Sequence, residues 1–341
     1  MLTPSEEHYY SRQIRLPNLG GEGQEKLKNS HILVVGAGGL GCPALTYLAT
    51  AGIGTLGICE DDQIEISNLH RQPLYGLEDE GLLKGEKAVE KLQKKNPWIK
   101  LQWHSDRLSP NNSKALFKQY DLVLDCTDNF LSKFLINDTA VLTQTPVIQS
   151  SIYQYEGQLW GYSPNNESPC LRCLWSTIPE QNCVGTCQEV GVLGAVPGIL
   201  GTIQALEALK WLLGLPNCLQ THEMILFNLL SYRIEALKRT RSLDCTHCSA
   251  TPSVQIISSS SYSSPTIPWL VEESTVTQWK PEMVVLIDLR TPQEVNSNPI
   301  EVSGFVIKHL PISETNFDKM HIDPNKQYVF MCESGYRSQV V

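Results

Sequence analysis

The stretch HILVVGAGGLGCPALTYLATAGIGTLGICEDD, His31 to Asp62, decides how the rest of the chain is read. Its opening residues 32–35 are apolar and rich in β-branched side chains, the pattern of a strand buried on both faces. Gly36, Gly38, Gly39 and Gly41 follow, and Gly36, Gly38 and Gly41 stand at G-x-G-x-x-G spacing. Residues 43–51 predict a helix, with Pro43 tolerated in the first turn. A second strand, residues 55–59, ends in Glu60, Asp61 and Asp62, the first of these 24 residues after Gly36. A glycine turn lets backbone N–H groups approach a phosphate, and the helix N-terminus adds roughly half a positive charge there. An acid at the end of the next strand can accept from ribose hydroxyls. The order of strand, glycine turn, helix, strand and acid predicts a nucleotide site. The turn by itself does not choose the nucleotide.

A length of 341 residues predicts about two domains. With 41% hydrophobic and 18% charged residues the composition is that of a soluble globular protein. A net charge of −9 argues against nonspecific binding to nucleic acid or to an anionic membrane. The opening MLTPSEEHYYSRQ has no apolar run, so no signal peptide is expected. The most apolar helical stretch, residues 196–213, carries Glu207 and Lys210 and is too short and interrupted to span a bilayer. The expected compartment is therefore the cytoplasm. Eleven clustered cysteines in a reducing compartment point to metal or sulfur chemistry rather than disulfides.

Outward from the opening stretch, residues 5–16 predict a helix carrying Arg12, and residues 78–95 a charged helix containing Lys84 and Lys87. Residues 100–104, 121–126 and 146–151 predict strands, with Thr127, Asp128 and Asn129 directly after the second of these. Residues 153–162 suggest an antiparallel pair turning at Gly157, and residues 223–228 a further strand. The fold class that follows is α/β: a Rossmann-like, doubly wound, mostly parallel sheet with an antiparallel extension. Ligands in such sheets sit at the carboxyl ends of the strands, so Glu60 to Asp62 and Thr127 to Asn129 should face one crevice.

Cys170-Leu171-Arg172-Cys173 and Cys245-Thr246-His247-Cys248 are two C-x-x-C pairs. Each can place two thiolates on one ion, and four thiolates close a tetrahedral structural zinc site. Cys187, just before the long helix, is a candidate nucleophile, because a thiol near a helix N-terminus can have a lowered pKa. Cys42, Cys59, Cys126, Cys183 and Cys218 read as inert. Residues 249–268 are rich in Ser, Pro and Thr and read as a linker. Residues 283–287 and 327–331 beyond it are strand-like.

Taken together, SRQI at 11–14, VVGAGGLG at 34–41, SNLHRQ at 67–72, Lys87, DCTDN at 125–129, CLRC, TCQEVGV and the last C-x-x-C resemble the MoeB/ThiF family of ubiquitin-activating-enzyme relatives. The resemblance covers residues 6–248 and implies a homodimeric adenylyltransferase domain over residues 1–248. It implies adenylation, with ATP and Mg²⁺, of the C-terminal Gly-Gly carboxylate of a small ubiquitin-like sulfur-carrier protein. Asp62 and Glu60 would serve ribose and metal, although the family usually has Asp where Glu60 stands. Asn68, Arg71 and Lys87 would hold the triphosphate, Asp128 would bind or orient Mg²⁺ beside the α-phosphate, and Asn129 would join the ATP contacts, with satisfying the loop backbone as the alternative for Gln72 and Asn129. Arg12 resembles an arginine that reaches into the partner subunit's ATP site. Cys187 matches a cysteine that in some relatives bonds to the carrier or its sulfur.

The tail, residues 269–341, resembles a rhodanese domain. LIDLRTPQE at 286–294 looks like its opening strand and turn, and Cys332-Glu333-Ser334-Gly335-Tyr336-Arg337-Ser338 like its persulfide loop. The sequence ends four residues after Arg337. The expectation is therefore an incomplete domain with a poorly activated Cys332, and sulfur from a separate donor such as a cysteine desulfurase. Three rivals remain: an NAD- or FAD-dependent oxidoreductase, an ATP-dependent tRNA-modifying dehydratase of the same fold, and a noncatalytic carrier-binding scaffold. The first leaves Arg71, Lys87 and Asp128 unexplained. The second is disfavoured by the acidic charge, the cysteine pairs and the tail, and the third would need a broken ATP site.

Overall fold

Residues 31–35 alternate between two apolar environments, which is what makes them a central strand. Ile32 and Val34 pack with Leu45, Leu48 and Leu200 on one side, and Leu33 and Val35 pack with Phe117, Phe134 and Ile136 on the other. With both faces covered by helices, a β-branched run has no polar face to offer. The computed structural model describes residues 1–164, 168–178, 191–249, 262, 279–297, 299–300, 302–311, 315, 323 and 326–331. The chain divides into two compact units, Met1–Ser264 and Pro265–Val341.

In the first unit the elements run α1 (Pro4–Tyr9), α2 (Ser11–Ile14), α3 (Gly20–Lys28), β1 (His31–Val35), α4 (Gly41–Ala51) and β2 (Thr55–Cys59). They continue through α5 (Lys84–Lys95), β3 (Lys100–His104), α6 (Ser113–Phe117), β4 (Leu122–Asp125), α7 (Phe130–Thr143), β5 (Val147–Tyr153) and β6 (Glu156–Tyr162). The unit closes with α8 (Leu171–Leu174), α9 (Ala195–Leu213), β7 (Glu223–Asn228) and β8 (Arg233–Lys238). The eight strands form one sheet in the order β3-β2-β1-β4-β5-β6-β7-β8. β3 to β5 pair in parallel and β6 to β8 are antiparallel. This is the expected doubly wound sheet with its antiparallel extension. Among the described residues no helix is long and apolar enough to cross a membrane.

Three local expectations are corrected. Residues 5–16 form two short helices, because Tyr10 leaves the helical path and buries its ring, where its hydroxyl accepts from Asn96 Nδ2 at 2.7 Å. Residues 78–95 are not one helix: a 3₁₀ turn at Leu77–Asp79 precedes α5. Between them the backbone at 81–82 pairs with Ile64, through Gly81 N to Ile64 O at 2.8 Å and Ile64 N to Leu82 O at 2.8 Å. Gly157 is not the turn of the β5–β6 hairpin. The chain reverses at Gln154, in the left-handed region with φ +52°, and Gly157 lies within β6 opposite Ile152. Gly157 is needed for packing: a Cβ there would sit 2.7 Å from Leu200 of α9. Gly157→Ala is expected to cost about 1–3 kcal/mol by overpacking, read as a lower urea midpoint with an unchanged slope.

In the second unit β9 (Val284–Asp288) is the centre of a parallel three-stranded sheet, between β10 (Ile307–His309) and β11 (Gln327–Met331). A helix, α10 (Pro292–Ser297), follows β9. The turn between them is set by Asp288 and Arg290. The buried guanidinium donates from Nε at 3.0 Å and Nη2 at 2.8 Å to the two carboxylate oxygens. Burial alone would raise the Asp288 pKa, but the bonds from Arg290 hold it below the ordinary value. Thr291 and Glu294 close a capping box at the start of α10, with Glu294 Oε2 accepting from Thr291 N at 2.7 Å.

Candidate functional site

β1 is flanked by β2 on one side and β4 on the other, so the chain changes direction across the sheet there. The glycine turn after β1, the acids after β2 and the Thr127–Asn129 loop after β4 emerge at the same edge, as the sequence predicted. The turn is tight. Gly36 has φ +94°, a Cβ on it would sit 2.8 Å from the Cys126 carbonyl oxygen, and a Cβ on Gly41 would sit 2.0 Å from the Gly36 oxygen. Only glycine fits at both positions, and the turn packs directly onto the buried start of α4, where Cys42 N donates to the Gly38 carbonyl at 2.9 Å.

The loop after β4 is held from beneath. Asp125 is fully buried and accepts from Thr127 N at 2.9 Å, Thr127 Oγ1 at 2.6 Å, Gln149 Nε2 at 2.7 Å and Lys133 Nζ at 3.4 Å. Asn129 is the N-cap of α7, accepting from Ser132 N at 2.9 Å. Asp128, between these anchors, is exposed. Gln204 of α9 donates to the Asp125 and Ile148 carbonyls, both at 2.9 Å, and so ties that helix to the ends of β4 and β5.

Arg71 and Asn68 act as a pair, with Arg71 Nη2 donating to Asn68 Oδ1 at 2.6 Å and Nη1 to the Ser67 carbonyl at 3.0 Å. They lie beside the glycine turn. A Cβ on Gly39 would be 3.2 Å from Pro197 and 3.5 Å from the Arg71 carbonyl, and one on Gly194 would be 2.2 Å from the His70 carbonyl. The turn, the His70–Arg71 backbone and the start of α9 therefore touch one another. Gln72 is buried against the turn, its amide nitrogen 3.5 Å from where a Gly38 Cβ would stand.

Of the two lysines singled out in α5, Lys84 is the one beside the acids. Its buried ammonium lies 3.1 Å from Asp62 Oδ2, and its backbone N–H donates to the Asp62 carbonyl at 3.0 Å. Lys87 instead faces Asp79, at 3.7 Å, and Glu90. Nothing in the periodicity of residues 78–95 separates the two. What separates them is where the helix begins, and that depends on the Ile64 pairing. Glu60 lies at the end of β2, against the glycine turn. It is buried, and both carboxylate oxygens are taken by backbone N–H groups, those of Ala37 at 2.7 Å and Asp62 at 3.0 Å.

Arg12 is not brought to the crevice within this chain. Its neighbour Gln13 donates to the Ala51 carbonyl at 2.7 Å, at the C-terminal end of α4, and an 11-residue helix separates that end from the glycine turn by about 16 Å. Cys187 and Cys332 lie outside the described residues, as does Cys183. Burial pushes the Cys42 and Cys59 thiols up to about 12 and raises Cys126 further, in keeping with their reading as inert.

The two C-x-x-C pairs, 75 residues apart in sequence, converge: Sγ–Sγ separations are 4.0 Å for Cys170–Cys173, 3.7 Å for Cys170–Cys245 and 3.3 Å for Cys173–Cys248. All four sulfurs lie within 4.8 Å of one another. Zinc with Zn–S bonds of about 2.3 Å sets tetrahedral sulfurs about 3.8 Å apart, so these thiols fit such an ion. The surroundings suit an anionic centre. Arg239 is buried over the Trp160 ring at 4.2 Å; burial lowers its pKa to about 10, while Cys170, Cys173 and Cys248 raise it. Arg241 donates to the Cys248 carbonyl. Neighbouring thiols, Cys170 first, hold Cys248 down at about 6. Arg172, inside the first pair, bridges to Asp138 of α7 through Nη2 at 2.7 Å and Nε at 3.1 Å. Tyr262 also donates to Asp138, so the centre is moored to α7.

The yeast Ogataea parapolymorpha has an adenylyltransferase and sulfurtransferase that is 51% identical over 201 residues, 59% of this chain and 52% of that protein. A sulfur carrier protein adenylyltransferase of Thermus thermophilus is 41% identical over 254 residues, 73% of this chain and 93% of that protein. The chain spans about half the length of the yeast and insect relatives it matches, 52% and 55%. Among solved structures, Escherichia coli MccB with ATP superposes with a TM-score of 0.62 at 22% identity, over 70% of this chain and 74% of that one. That likeness is one of fold. Residues 10–249, which begin at Tyr10 and end just past the last cysteine of the tetrad, match the ThiF family. The sheet, the glycine turn and the paired cysteines all lie inside that span, and the chain belongs to the ThiF family.

Proposed function

We propose that this chain adenylates the C-terminal Gly-Gly carboxylate of a small ubiquitin-like sulfur-carrier protein. The observation that carries the reading is the crevice at the β1/β4 crossover. The glycine turn, the paired Arg71–Asn68, the buried Lys84 and the exposed Asp128 all follow the carboxyl ends of β1, β2 and β4 in a ThiF-family chain. The Thermus relative, of which 93% is covered, supports the substrate class.

In the proposed reaction a carrier carboxylate oxygen bonds to the α-phosphorus of ATP. The bond from that phosphorus to the bridging oxygen breaks, leaving an acyl-adenylate and pyrophosphate. The N–H groups of the glycine turn and the α4 terminus receive the phosphates. Arg71, oriented by Asn68, and Lys84, oriented by Asp62, offset charge that grows on pyrophosphate as it leaves. Asp128 would hold Mg²⁺, which when bound neutralises charge on the α- and β-phosphates. The chain's own contribution is positioning and electrostatics.

Arg12 is assigned to the crevice of a second copy, since its position at the far end of α4 supports no role in its own. That makes the homodimer the working unit. The four cysteines are assigned to one structural zinc ion. Cys187 is the thiol proposed to act on sulfur after adenylation, with the sulfur delivered by a separate donor of the cysteine desulfurase class rather than by a poorly activated Cys332, and the cytoplasm as the compartment.

The test is ATP–pyrophosphate exchange with candidate carriers ending in Gly-Gly. Exchange should appear only with a carrier whose terminal carboxylate is free, and vanish when the last glycine is removed. Exchange indifferent to that truncation would overturn the assignment.

A further inference from the structure

Lys84 is the first residue of α5, so its place depends on where that helix is set down. Its backbone N–H donates to the Asp62 carbonyl at 3.0 Å, and Leu83 before it pairs with Gln63 in an antiparallel bridge. The next residue, Gly85, is buried and meets Trp103. A Cβ on Gly85 would sit 2.1 Å from Trp103 Nε1 and 2.3 Å from Cδ1. Gly85 is helical and is not at a positive φ, so no turn calls for glycine there. In a helix glycine costs about 1 kcal/mol relative to alanine, and here the indole is what excludes a side chain. The ring has little freedom to move away. Trp103 lies in β3 opposite Ile58 of β2, and its Nε1 donates to the Glu60 carbonyl at 2.8 Å. One side chain therefore holds the backbone at the end of β2 and bears on the residue beside Lys84.

We propose that Trp103 is a positioning residue for adenylation: by filling the space beside Gly85 it seats the first turn of α5 against the end of β2, and so aims the Lys84 ammonium at the phosphates. The proposal rests on the reading of the crevice as an ATP site in which Lys84 meets the nucleotide. Lys84 is buried, with its ammonium 3.1 Å from Asp62 Oδ2. Few waters screen a buried charge, so its pull on a phosphate depends steeply on where it stands. A displacement of about 1 Å at such a group can cost about a hundredfold. A methyl group at position 85 would force either the helix or the indole to give way, and in both cases the turn that carries Lys84 loses its seat. Trp103 needs no contact with the nucleotide to act in this way, because it works through the lysine.

Equilibrium binding of MgATP to the full chain, by calorimetry, reads this without requiring catalysis. Gly85→Ala and Trp103→Phe are each expected to weaken ATP by about tenfold. Placed in Lys84→Met, the same substitutions should add less than about twofold, because the group through which they act is gone. Gly85→Ala combined with Trp103→Phe should bind ATP about as well as Trp103→Phe alone, since the smaller ring leaves room for the methyl group. A role in stability alone would weaken ATP by the same factor with or without Lys84, and that result would overturn the proposal, as would full ATP affinity in both single variants. If Gly85→Ala misfolds, Trp103→Phe, which keeps the strand pairing and most of the ring, carries the same comparison. Coupling to Lys84 without carrier-dependent pyrophosphate exchange would defeat the proposed function and leave the role of Trp103 standing. Exchange with uncoupled, equal losses would do the reverse.

Discussion

Cys170→Ser and Cys245→Ser are each expected to lose the bound metal and lower the thermal midpoint by about 10 °C or more. Freshly prepared protein should hold about one zinc per chain, because four thiolates fill one tetrahedral ion. The size of the effect follows from what the ion joins. Cys170 is the N-cap of α8 and Cys173 lies within it, and Cys245 and Cys248 lie beyond β8, so the tetrad closes a loop of 75 residues that contains α9, β7 and β8. Structural zinc contributes on the order of 10 kcal/mol to small domains. Loss of a few kcal/mol in a unit of this size moves the midpoint by roughly 2–4 °C per kcal/mol. Removing one ligand also strands the rest, because Cys170 and Cys245 are buried and Arg239 stays close to the remaining sulfurs. Metal analysis and calorimetry of the two variants check this, and unchelated protein without zinc would contradict it.

The second large effect separates two lysines that look equivalent in sequence. Lys84→Met should lower carrier-dependent pyrophosphate exchange by about two orders of magnitude or more, as expected for loss of a major electrostatic contributor. Lys87→Met should change it by less than about threefold, because its charge is taken by Asp79 and Glu90. Lys84 is buried beside Asp62, where few waters screen its charge, so its attraction to a developing anion is strong. Lys87 spends its charge on Asp79 and Glu90, away from the acids that follow β2. Exchange measured at saturating carrier, with KM for ATP and kcat determined separately, distinguishes loss of binding from loss of turnover. Equal damage from the two substitutions would mean that α5 does not present Lys84 alone to the nucleotide.

The sheet was legible in the sequence because its cause is local. A run such as residues 32–35, apolar on both sides of the pleat, has few alternatives to a central strand, and Gly36 and Gly41 admit no side chain between β1 and α4. The cysteine tetrad was legible for a similar reason, since C-x-x-C spacing presets two thiols for one ion whatever surrounds them. Other features depended on partners distant in the chain. Gly157 reads as a turn residue until Leu200 of α9 is packed against it. Lys84 and Lys87 differ only because backbone pairing with Ile64 delays the start of α5. Glu60 is placed after β2 by pattern, but its bond to Ala37 N depends on the close approach of that strand's end to the glycine turn. Local pattern was enough to specify which strands are central, where the glycine turn lies and which thiols can share an ion. Which lysine pairs with Asp62, and what Glu60 accepts from, followed only from packing, because a charged side chain takes the nearest desolvated partner and distant segments supply it.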